Sequence, residues 1–382
     1  MQPSELGDAL TALAVRSQLR TRVALDRAQG PEIVIDSRHY LSFASNDYLG
    51  LANHPELVLA ARAGLERWGL GSGASPLVTG HFAVHEAAEQ ALAQFVACPA
   101  ALLFGSGYTA NLAVLASFLD KDAVVFADKL NHASLNDGCL LSRARMRRFR
   151  HNDLDHLEDL LRATPARTRM IAVDAVYSMD GDEAPLTELL ALAHKYDTWL
   201  YCDDAHGFGI LGAGHGSLAE HGIVDERVIY MATLGKAAGV SGAFVAASQL
   251  VIDWLINAGR TYIYSTAHPP ALAAAILVSL QLIDAESWRR ERLRQHIDSL
   301  REINDIGIKL KISRLPIQPI IIGDNEQALG LSQQLRQAGI WVPAIRPPTV
   351  APGSARLRVS LSAAHSAAQV ARLVHGIKDL LV

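Results

Sequence analysis

The chain has 382 residues, half of them hydrophobic, which is enough to bury a large core and favours two domains. Its formal charge of −4 is small for this length, so the charge indicates neither a nucleic-acid partner nor a membrane partner. The three cysteines, Cys98, Cys139 and Cys202, lack CxxC spacing, which argues against a disulfide framework and a zinc site. The N-terminus has no basic region followed by an apolar core, and no apolar run reaches the roughly 18 residues of a membrane span. We therefore expect a cytoplasmic protein.

The first predicted element is a helix over residues 4–28, because Leu6, Leu10, Leu13 and Val15 recur about once per turn. Short, continuously apolar runs then alternate with helical stretches, which is typical of strands buried on both faces of a mainly parallel sheet. These runs cover residues 101–104, 123–126, 170–173, 199–202, 228–231 and 242–246. The apolar stretch 271–283 predicts a core helix.

A charged stretch, residues 286–301, precedes a second group of predicted elements. These are a strand, a helix and a strand at residues 318–322, 326–338 and 357–361. We therefore predict an N-terminal helical segment over residues 1–40, a large domain over 41–285 and a smaller C-terminal domain over 286–382.

Polar residues follow several of the predicted strands. Ser106, Asp174 and Asp203 come after three apolar runs, and residues 233–236 come after another. Because ligands of open parallel sheets bind beyond the carboxyl ends of the strands, this pattern predicts one binding site at that edge.

Lys236 and Asp203 are the most informative residues of this set. A lysine among small residues after one strand can form a Schiff base with the aldehyde of pyridoxal 5′-phosphate. An acid at the end of another strand can keep the pyridine nitrogen of that cofactor protonated. Either residue alone has a simpler interpretation, as a surface lysine or as part of an Asp-Asp turn, but the pair favours a cofactor site.

The surrounding sequence resembles the α-oxoamine synthases, a branch of the aspartate-aminotransferase-like enzymes of fold type I. The motifs that carry the resemblance run along almost the whole chain: Ser45-Asn46-Asp47-Tyr48-Leu49-Gly50-Leu51, Gly71-Ser72-Gly73, Asn131-His132-Ala133-Ser134, Ser178-Met179-Asp180-Gly181-Asp182, Asp203-Asp204-Ala205-His206-Gly207, Thr233-Leu234-Gly235-Lys236-Ala237, Tyr264-Ser265-Thr266 and Arg356-Leu357-Arg358. The resemblance implies an α/β fold. Its large domain has a mainly parallel sheet covered by helices, and the N-terminal segment packs with a smaller α+β C-terminal domain.

The resemblance also assigns the cofactor-binding residues. Lys236 carries the cofactor, Asp203 faces the pyridine nitrogen, and His132 stacks on the ring and donates to an incoming thioester carbonyl. Ser178 and His206 lie near the phenolic oxygen. The phosphate is held by Gly107, Tyr108 and Thr233, and by Ser265 and Thr266 from the partner subunit of a homodimer with active sites at its interface. For Gly107 and Tyr108 the sequence adds a glycine-containing turn that opens a helix, a setting that attracts phosphate.

Further positions match substrate contacts of the family. Arg358 is expected to bind the carboxylate of the amino acid, since a guanidinium binds a carboxylate through two parallel hydrogen bonds. Arg356 is expected to be structural. The other substrate positions are Arg20, Asn46, Ser75 and Thr349, and His132 is counted with them. The chain contains no HExxH or similar spacing, so no metal is expected.

The run Ile345-Arg346-Pro347-Pro348-Thr349-Val350 is most similar to the family member that condenses L-alanine with a pimeloyl thioester in biotin biosynthesis. The acyl group could arrive on coenzyme A or on an acyl carrier protein. The alternatives are a ligase using glycine and acetyl-CoA, 5-aminolevulinate synthase, an aminotransferase of the same fold, and a non-catalytic regulatory subunit.

Some positions depart from the family pattern. Asp174 replaces a frequent glutamate, and Pro76 puts the acyl contacts of the Ser75 loop in doubt. The basic run 143–150 is expected to be a solvated face, or else a surface for coenzyme A phosphates or an acidic carrier protein.

Overall fold

The computed structural model describes residues 2–301, 311 and 313–381. Its contacts divide the chain into two compact units. The large unit contains Leu49–Ser178 and Asp182–Arg290, and the small unit contains the described parts of Met1–Tyr48, Met179–Gly181 and Glu291–Val382. The boundaries thus lie after Tyr48 and Arg290, where the sequence predicted them after residues 40 and 285.

The α-helices, in chain order, are α1 Leu6–Val15, α2 Pro55–Trp68, α3 Ala83–Phe95, α4 Gly107–Phe118, α5 Ala133–Ser142, α6 Leu154–Ala163, α7 Leu186–Lys195, α8 Ser217–Glu220, α9 Gln249–Ala258, α10 Arg260–Ile263, α11 Pro270–Ala285, α12 Trp288–Arg301, α13 Asn325–Gln337 and α14 Ala367–Leu381. The strands are β1 Glu32–Ile35, β2 Arg38–Ser42, β3 Ala100–Phe104, β4 Val124–Asp128, β5 Arg145–Phe149, β6 Arg169–Asp174, β7 Trp199–Asp203, β8 Val228–Thr233, β9 Ala243–Ala247, β10 Ile317–Gly323, β11 Ile340–Trp341, β12 Ala344–Ile345 and β13 Ala355–Ser360.

The large unit is built on a sheet that has seven strands within the described residues, in the order β3-β9-β8-β7-β6-β4-β5. The pairs from β8 to β5 are parallel, whereas β9 is antiparallel to both of its neighbours, so every strand except β9 runs in one direction. All six apolar runs form strands of this sheet, and their side chains are largely buried. The mainly parallel α/β fold predicted from the sequence is therefore confirmed.

The edge strand β5 was not predicted from the sequence. The basic run 143–150 contains this strand, which pairs in parallel with β4 and leaves Arg145, Arg147 and Arg148 exposed. An edge strand has a neighbouring strand on one side only and can carry charged side chains, so its arginine-rich sequence lacks the continuous apolar run of the other strands. The exposed arginines agree with the predicted solvated face.

The N-terminal helix is shorter than predicted. After a 3-10 turn at Pro3–Glu5, α1 ends at Val15, and residues 18–25 have no regular structure. Ser17 has a positive φ of 56°, which a helix cannot accommodate. No residue of α1 is buried, so no packing extends the helix beyond the reach of its own weak local preference.

In the small unit β10 and β13 pair antiparallel, and β12 pairs with the other edge of β13. The predicted strand, helix and strand correspond to β10, α13 and β13. In the large unit, the predicted core helix is α11. Among the described residues no single helix is long and apolar enough to cross a membrane. Only α11 and α12, counted together, are long and apolar enough, and a 65° bend separates them.

Candidate active site

The carboxyl ends of five strands of the large unit carry most of the predicted site residues. Because β3, β4, β6, β7 and β8 run in the same direction, these ends lie at one edge of the sheet. The residues that follow them are Gly107 and Tyr108, His132, Ser178, Asp203 and His206, and Thr233 and Lys236. The fold therefore presents, at one edge, groups that are far apart in the sequence.

Lys236 lies in a tight turn after β8. Its Nζ atom is 2.9 Å from Nε2 of His206, which is buried. Gly239 closes the turn with φ +68°, and a Cβ atom there would lie only 2.5 Å from the carbonyl carbon of Leu51. The turn therefore needs glycine at this position, and it holds the half-buried lysine amine beside an imidazole.

Asp203 and Asp204 have different hydrogen-bond partners although they are adjacent. Asp203 is 3% exposed, and its two carboxylate oxygens accept from Asn111 Nδ2 at 2.8 Å and from the Ala205 amide at 3.0 Å. Asp204 accepts from Ser217 and Tyr230 instead, and burial raises its pKa to about 6 despite these hydrogen bonds. Asp204 thus holds the loop before α8, while Asp203 belongs to the site.

Asn111 was not assigned a function from the sequence, and it connects two of the predicted residues. Its amide nitrogen donates to Asp203 and, at 2.7 Å, to Oγ of Ser134, while its oxygen accepts from Tyr201 at 2.5 Å. Ser134 Oγ is in turn 2.7 Å from Nδ1 of His132. A buried chain of hydrogen bonds therefore joins the acid at the end of β7 to the histidine after β4.

His132 has much of its ring exposed, while its Nδ1 edge is held by Ser134. The surrounding protein desolvates the ring and lowers the pKa of His132, an effect that the charge of Asp203 opposes and that of Lys236 reinforces. At neutral pH the imidazole is therefore uncharged.

Asp174, which replaces a frequent glutamate, supports the turn that carries His132. Its carboxylate accepts from the His132 amide at 2.6 Å, and its own amide donates to the Asn131 side chain at 3.2 Å. Burial and the neighbouring charge of Asp203 raise the pKa of Asp174 well above its ordinary value. The shorter side chain is long enough for this backbone contact.

The start of α4 provides a place for a phosphate. Ser106 caps the helix by accepting from the Thr109 amide at 3.2 Å, and Gly107 and Tyr108 form the first turn, where backbone N–H groups lack partners within a helix. Thr233 lies close to this turn, about 4.0 Å from where a Gly107 Cβ would be. A buried acid, a lysine, an exposed imidazole and a helix N-terminus form the donor set that pyridoxal 5′-phosphate requires, so the residues present fit the cofactor.

Ser75, Ser265 and Thr266 lie on two loops of the large unit that are hydrogen-bonded to each other. The Ala267 amide donates to the Ala74 carbonyl at 3.0 Å, and the Ser72 hydroxyl donates to the His268 carbonyl at 2.6 Å. Ser265 and Thr266 are exposed. Ser178 follows β6 and is half-buried.

In the small unit, Arg358 is buried and its guanidinium is oriented by polar groups. It donates to Ser360 at 2.8 Å and to Asn46 at 3.2 Å, and lies 3.5 Å from the Tyr48 hydroxyl. Asn46 was predicted as a substrate contact, whereas Tyr48 was quoted only as part of a motif. Arg356 donates to backbone carbonyls and to Asp180, which agrees with its predicted structural function.

Arg20 and Thr349 come together although 329 residues separate them. The guanidinium of Arg20 donates to the threonine hydroxyl at 3.0 Å, and both residues are exposed. Arg346 donates to the Ser17 carbonyl, and partial burial together with the charge of Arg20 lowers its pKa. The structure thus adds Arg346 as a second cation beside the predicted pair.

One other group could in principle hold a metal. Within the part of the chain that the structure describes, His81, Glu86 and Glu89 place possible ligand atoms within 4.8 Å of one another. His81 Nε2 lies 3.1 Å from a carboxylate oxygen of Glu86 and 3.8 Å from one of Glu89.

Comparison with known proteins identifies the family. Residues 38–377 match the model of the family "Aminotransferase class I and II". A curated 8-amino-7-oxononanoate synthase of Chromobacterium violaceum is 59% identical over 98% of both chains. A high-resolution structure of SPT with a PLP internal aldimine superimposes with a TM-score of 0.92 at 29% identity, over 98% of both chains. A crystal structure of 8-amino-7-oxononanoate synthase from Francisella tularensis has a TM-score of 0.77 at 30% identity, over 90% of this chain and 99% of the other. The chain belongs to the class I and II aminotransferase family and, within it, to the 8-amino-7-oxononanoate synthases.

Proposed function

We propose that this chain condenses L-alanine with a pimeloyl thioester, releasing CO2 and the free thiol and producing 8-amino-7-oxononanoate for biotin synthesis. The observation that carries the proposal is the convergence of Lys236, Asp203 and His132 at one sheet edge, in a chain of this family. Pyridoxal 5′-phosphate, when bound, supplies an electron sink for the negative charge that develops at the alanine Cα.

The residues of the sheet edge are assigned separate tasks. Lys236 would hold the cofactor through its amine, and the same Nζ would accept the Cα proton of alanine. Asp203, whose carboxylate is oriented by Asn111, would keep the pyridine nitrogen of the cofactor protonated. His206 keeps the lysine amine in place, and the first turn of α4 with Thr233 receives the phosphate.

The substrates are assigned to other residues. Arg358 binds the carboxylate of alanine with its guanidinium, which Ser360 and Asn46 already orient. His132 donates a hydrogen bond to the thioester carbonyl while the new C–C bond forms and the thiol departs. The carboxylate that Arg358 held is then lost as CO2, and a proton returned to the carbon completes the product.

The far end of the pimeloyl chain is a carboxylate, and we assign it to Arg20, with Thr349 and Arg346 beside it. Two guanidinium groups at one place favour an anionic acyl chain over acetyl. Ser75 is also assigned to the acyl chain. The donor is proposed to be a coenzyme A or carrier-protein thioester.

We also propose a homodimer in which Ser265 and Thr266 complete the phosphate site of the partner. Leu77, Val78 and Tyr264, on the same two loops, are 50, 73 and 71% exposed. A second copy would cover these apolar side chains, since an isologous interface presents the same patch on both subunits.

A mixed dimer tests this arrangement. Lys236→Ala subunits are combined with Thr266→Trp subunits, each inactive alone. The mixture is expected to regain about one working site per mixed dimer, because that site contains neither lesion. Demonstrated heterodimers that remain inactive would contradict a shared site.

The substrate assignment is tested by thiol release from a panel of thioesters. Alanine with pimeloyl thioester is expected to be turned over at least tenfold faster than glycine with acetyl-CoA or succinyl-CoA, a modest ratio for differential binding of one charged group. Comparable turnover of glycine and acetyl-CoA would favour the ligase alternative. Formation of a keto acid without any thioester would favour an aminotransferase.

A further inference from the structure

His151 lies outside the proposed contacts to cofactor and substrate, yet it is held between two carboxylates. Its Nδ1 is 3.0 Å from Oδ1 of Asp128, and its Nε2 is 2.6 Å from Oδ2 of Asp182. The Asp128 side chain is fully buried, and those of His151 and Asp182 are 22 and 26% exposed. A histidine between two acids, one of them without access to water, forms charge-assisted hydrogen bonds on both sides of its ring.

Asp128 is the last residue of β4 and organises the segment that leads to His132, residues 128–132, here called the His132 turn. Its Oδ1 accepts from the Leu130 amide at 2.8 Å, and its Oδ2 accepts from the Asn152 amide at 2.9 Å. The Asn131 amide donates to the Asp128 carbonyl. The position of His132 therefore depends on the carboxylate that His151 contacts.

Asp182 lies on the segment opposite Ser178, and residues 176–178 and 182–183, all of the large unit, are here called the Ser178 hairpin. The Tyr177 amide donates to the Asp182 carbonyl at 2.9 Å, and Val176 and Glu183 form a β-bridge. Asn152, next to His151, donates to the Glu183 carbonyl at 3.0 Å. Residues 151 and 152 thus contact the His132 turn on one side and the base of the Ser178 hairpin on the other.

We propose that His151 is a positioning residue of the cofactor site, whose imidazolium holds the His132 turn and the Ser178 hairpin at a fixed separation. This inference rests on the proposed function, because it assumes that His132 stacks on the cofactor ring and that Ser178 contacts the phenolic oxygen of the same ring. A ring-stacking group and a phenolic-oxygen contact bind a flat cofactor well only when their spacing is fixed in advance. His151 itself contacts neither substrate nor cofactor.

The charge on His151 follows from its neighbours. Burial opposes protonation, but the hydrogen bonds and negative charges of Asp128 and Asp182 outweigh it and raise the pKa of His151 to about 9. Among the described residues, Tyr177 also packs against the ring, edge-on, with the two ring centroids 4.4 Å apart. Burial and the charges of Asp128 and Asp174 raise the pKa of Tyr177, so it stays neutral. On the turn of His151 itself, Arg150 is paired with Asp153 at 2.7 Å.

The test measures binding of pyridoxal 5′-phosphate to full-length protein carrying Lys236→Ala, in which the lysine cannot react with the cofactor. Adding His151→Gln is expected to weaken binding about tenfold at pH 7.5, since glutamine keeps one hydrogen bond but no charge. The ratio of the two affinities is expected to approach 1 above pH 10, where His151 itself loses its proton. Because both proteins are measured at the same pH, any effect of pH on the protonation of the cofactor is common to the two affinities and does not change their ratio.

Two further variants keep the test decisive. His194→Gln removes another histidine–carboxylate pair of the large unit, with Asp225 at 2.7 Å, and is expected to leave the affinity unchanged. Asp182→Asn removes the partner in the Ser178 hairpin and serves if His151→Gln fails to fold. The double variant with His151→Gln and Asp182→Asn is expected to bind the cofactor no more weakly than the weaker-binding of the two single variants.

Equal affinities with and without His151→Gln at pH 7.5, or a ratio that does not vary with pH, would overturn the proposal. Failure of the Lys236→Ala protein to bind the cofactor at all would instead contradict the proposed function.

Discussion

The sheet-edge site of the large unit and the Arg20–Thr349 pair of the small unit differ in how firmly their groups are held. Asp203 and Asn111 are buried, and the oxygens of Asp203 and both polar atoms of the Asn111 side chain have partners at 2.5–3.0 Å. Arg20 and Thr349 are exposed and meet through one hydrogen bond between side chains. Buried polar networks are costly to break, whereas exposed pairs contribute little. We infer that the bond-making groups are preorganised, while the groups that select the acyl chain can adjust.

The largest loss of activity is expected when Lys236 is removed. Lys236→Ala eliminates the residue proposed as both attachment point and base, and should lower kcat by at least about 10³-fold. Lys195→Ala, which removes an exposed lysine paired with Glu158 at 2.6 Å, is the control and should retain activity. Thiol release with alanine and pimeloyl thioester measures both. Substantial turnover by Lys236→Ala would contradict the assignment.

The next largest effect is expected from changing Arg358, the proposed anchor of the alanine carboxylate. Arg358→Lys loses the planar fork that Ser360 and Asn46 orient, and should raise the KM of alanine about a hundredfold while the KM of the thioester changes little. Arg356→Lys, on the same strand, is expected to affect stability rather than this KM, because its contacts are to backbone carbonyls and Asp180. An equal rise of the alanine KM in both variants would contradict the distinction.

The buried network should be sensitive although Asn111 touches no substrate. Asn111→Leu leaves Asp203 and Ser134 without their donor and should lower kcat by roughly tenfold to a hundredfold, with a loss of about 1–3 kcal/mol in the free energy of unfolding. Asn257→Leu removes an exposed asparagine bonded to the Asp253 carbonyl and should change neither quantity. Unchanged kcat in Asn111→Leu would show that the network does not orient Asp203.

The His151 pairs should contribute stability in a defined pH range. The folded pKa of about 9 lies above the ordinary value of 6.5, so the contribution is fully present below about pH 6.5 and is lost as the pH rises through 9. His151→Gln should therefore reduce the free energy of unfolding by about 2 kcal/mol at pH 6 and by much less at pH 10. Chemical denaturation at the two pH values measures the difference. A larger loss at pH 10 would reverse the assigned sign.

The exposed pair should give the smallest effect. Arg20→Gln removes one of two neighbouring guanidinium groups and should raise the KM of the pimeloyl thioester about fivefold, with kcat and the alanine KM unchanged. Arg22→Gln, two residues away and also exposed, is the matched control. An effect as large as that of Arg358→Lys would mean that this region is as rigidly organised as the sheet edge.

Local sequence pattern predicted the elements whose chemistry is local. The six buried strands were visible because strands covered on both faces are continuously apolar, and Asp203 and Lys236 lie at or just after the ends of such strands. His132 was assigned from the family resemblance instead. β5 was missed because an edge strand can be rich in arginine, and the helix over 4–28 was overextended because its apolar spacing has no packing partner. Asn111 was not assigned because its partners Ser134 and Asp203 are 23 and 92 residues away, so only the folded chain brings them together.

The most direct test of the account is to identify the residue that carries the cofactor. The full-length protein is loaded with pyridoxal 5′-phosphate, reduced with borohydride, digested and mapped by mass spectrometry. We expect the label on the peptide containing Lys236, the lysine held 2.9 Å from His206 at the sheet edge. A label on another lysine, such as Lys129 or Lys195, would contradict the assignment of the active site to this edge.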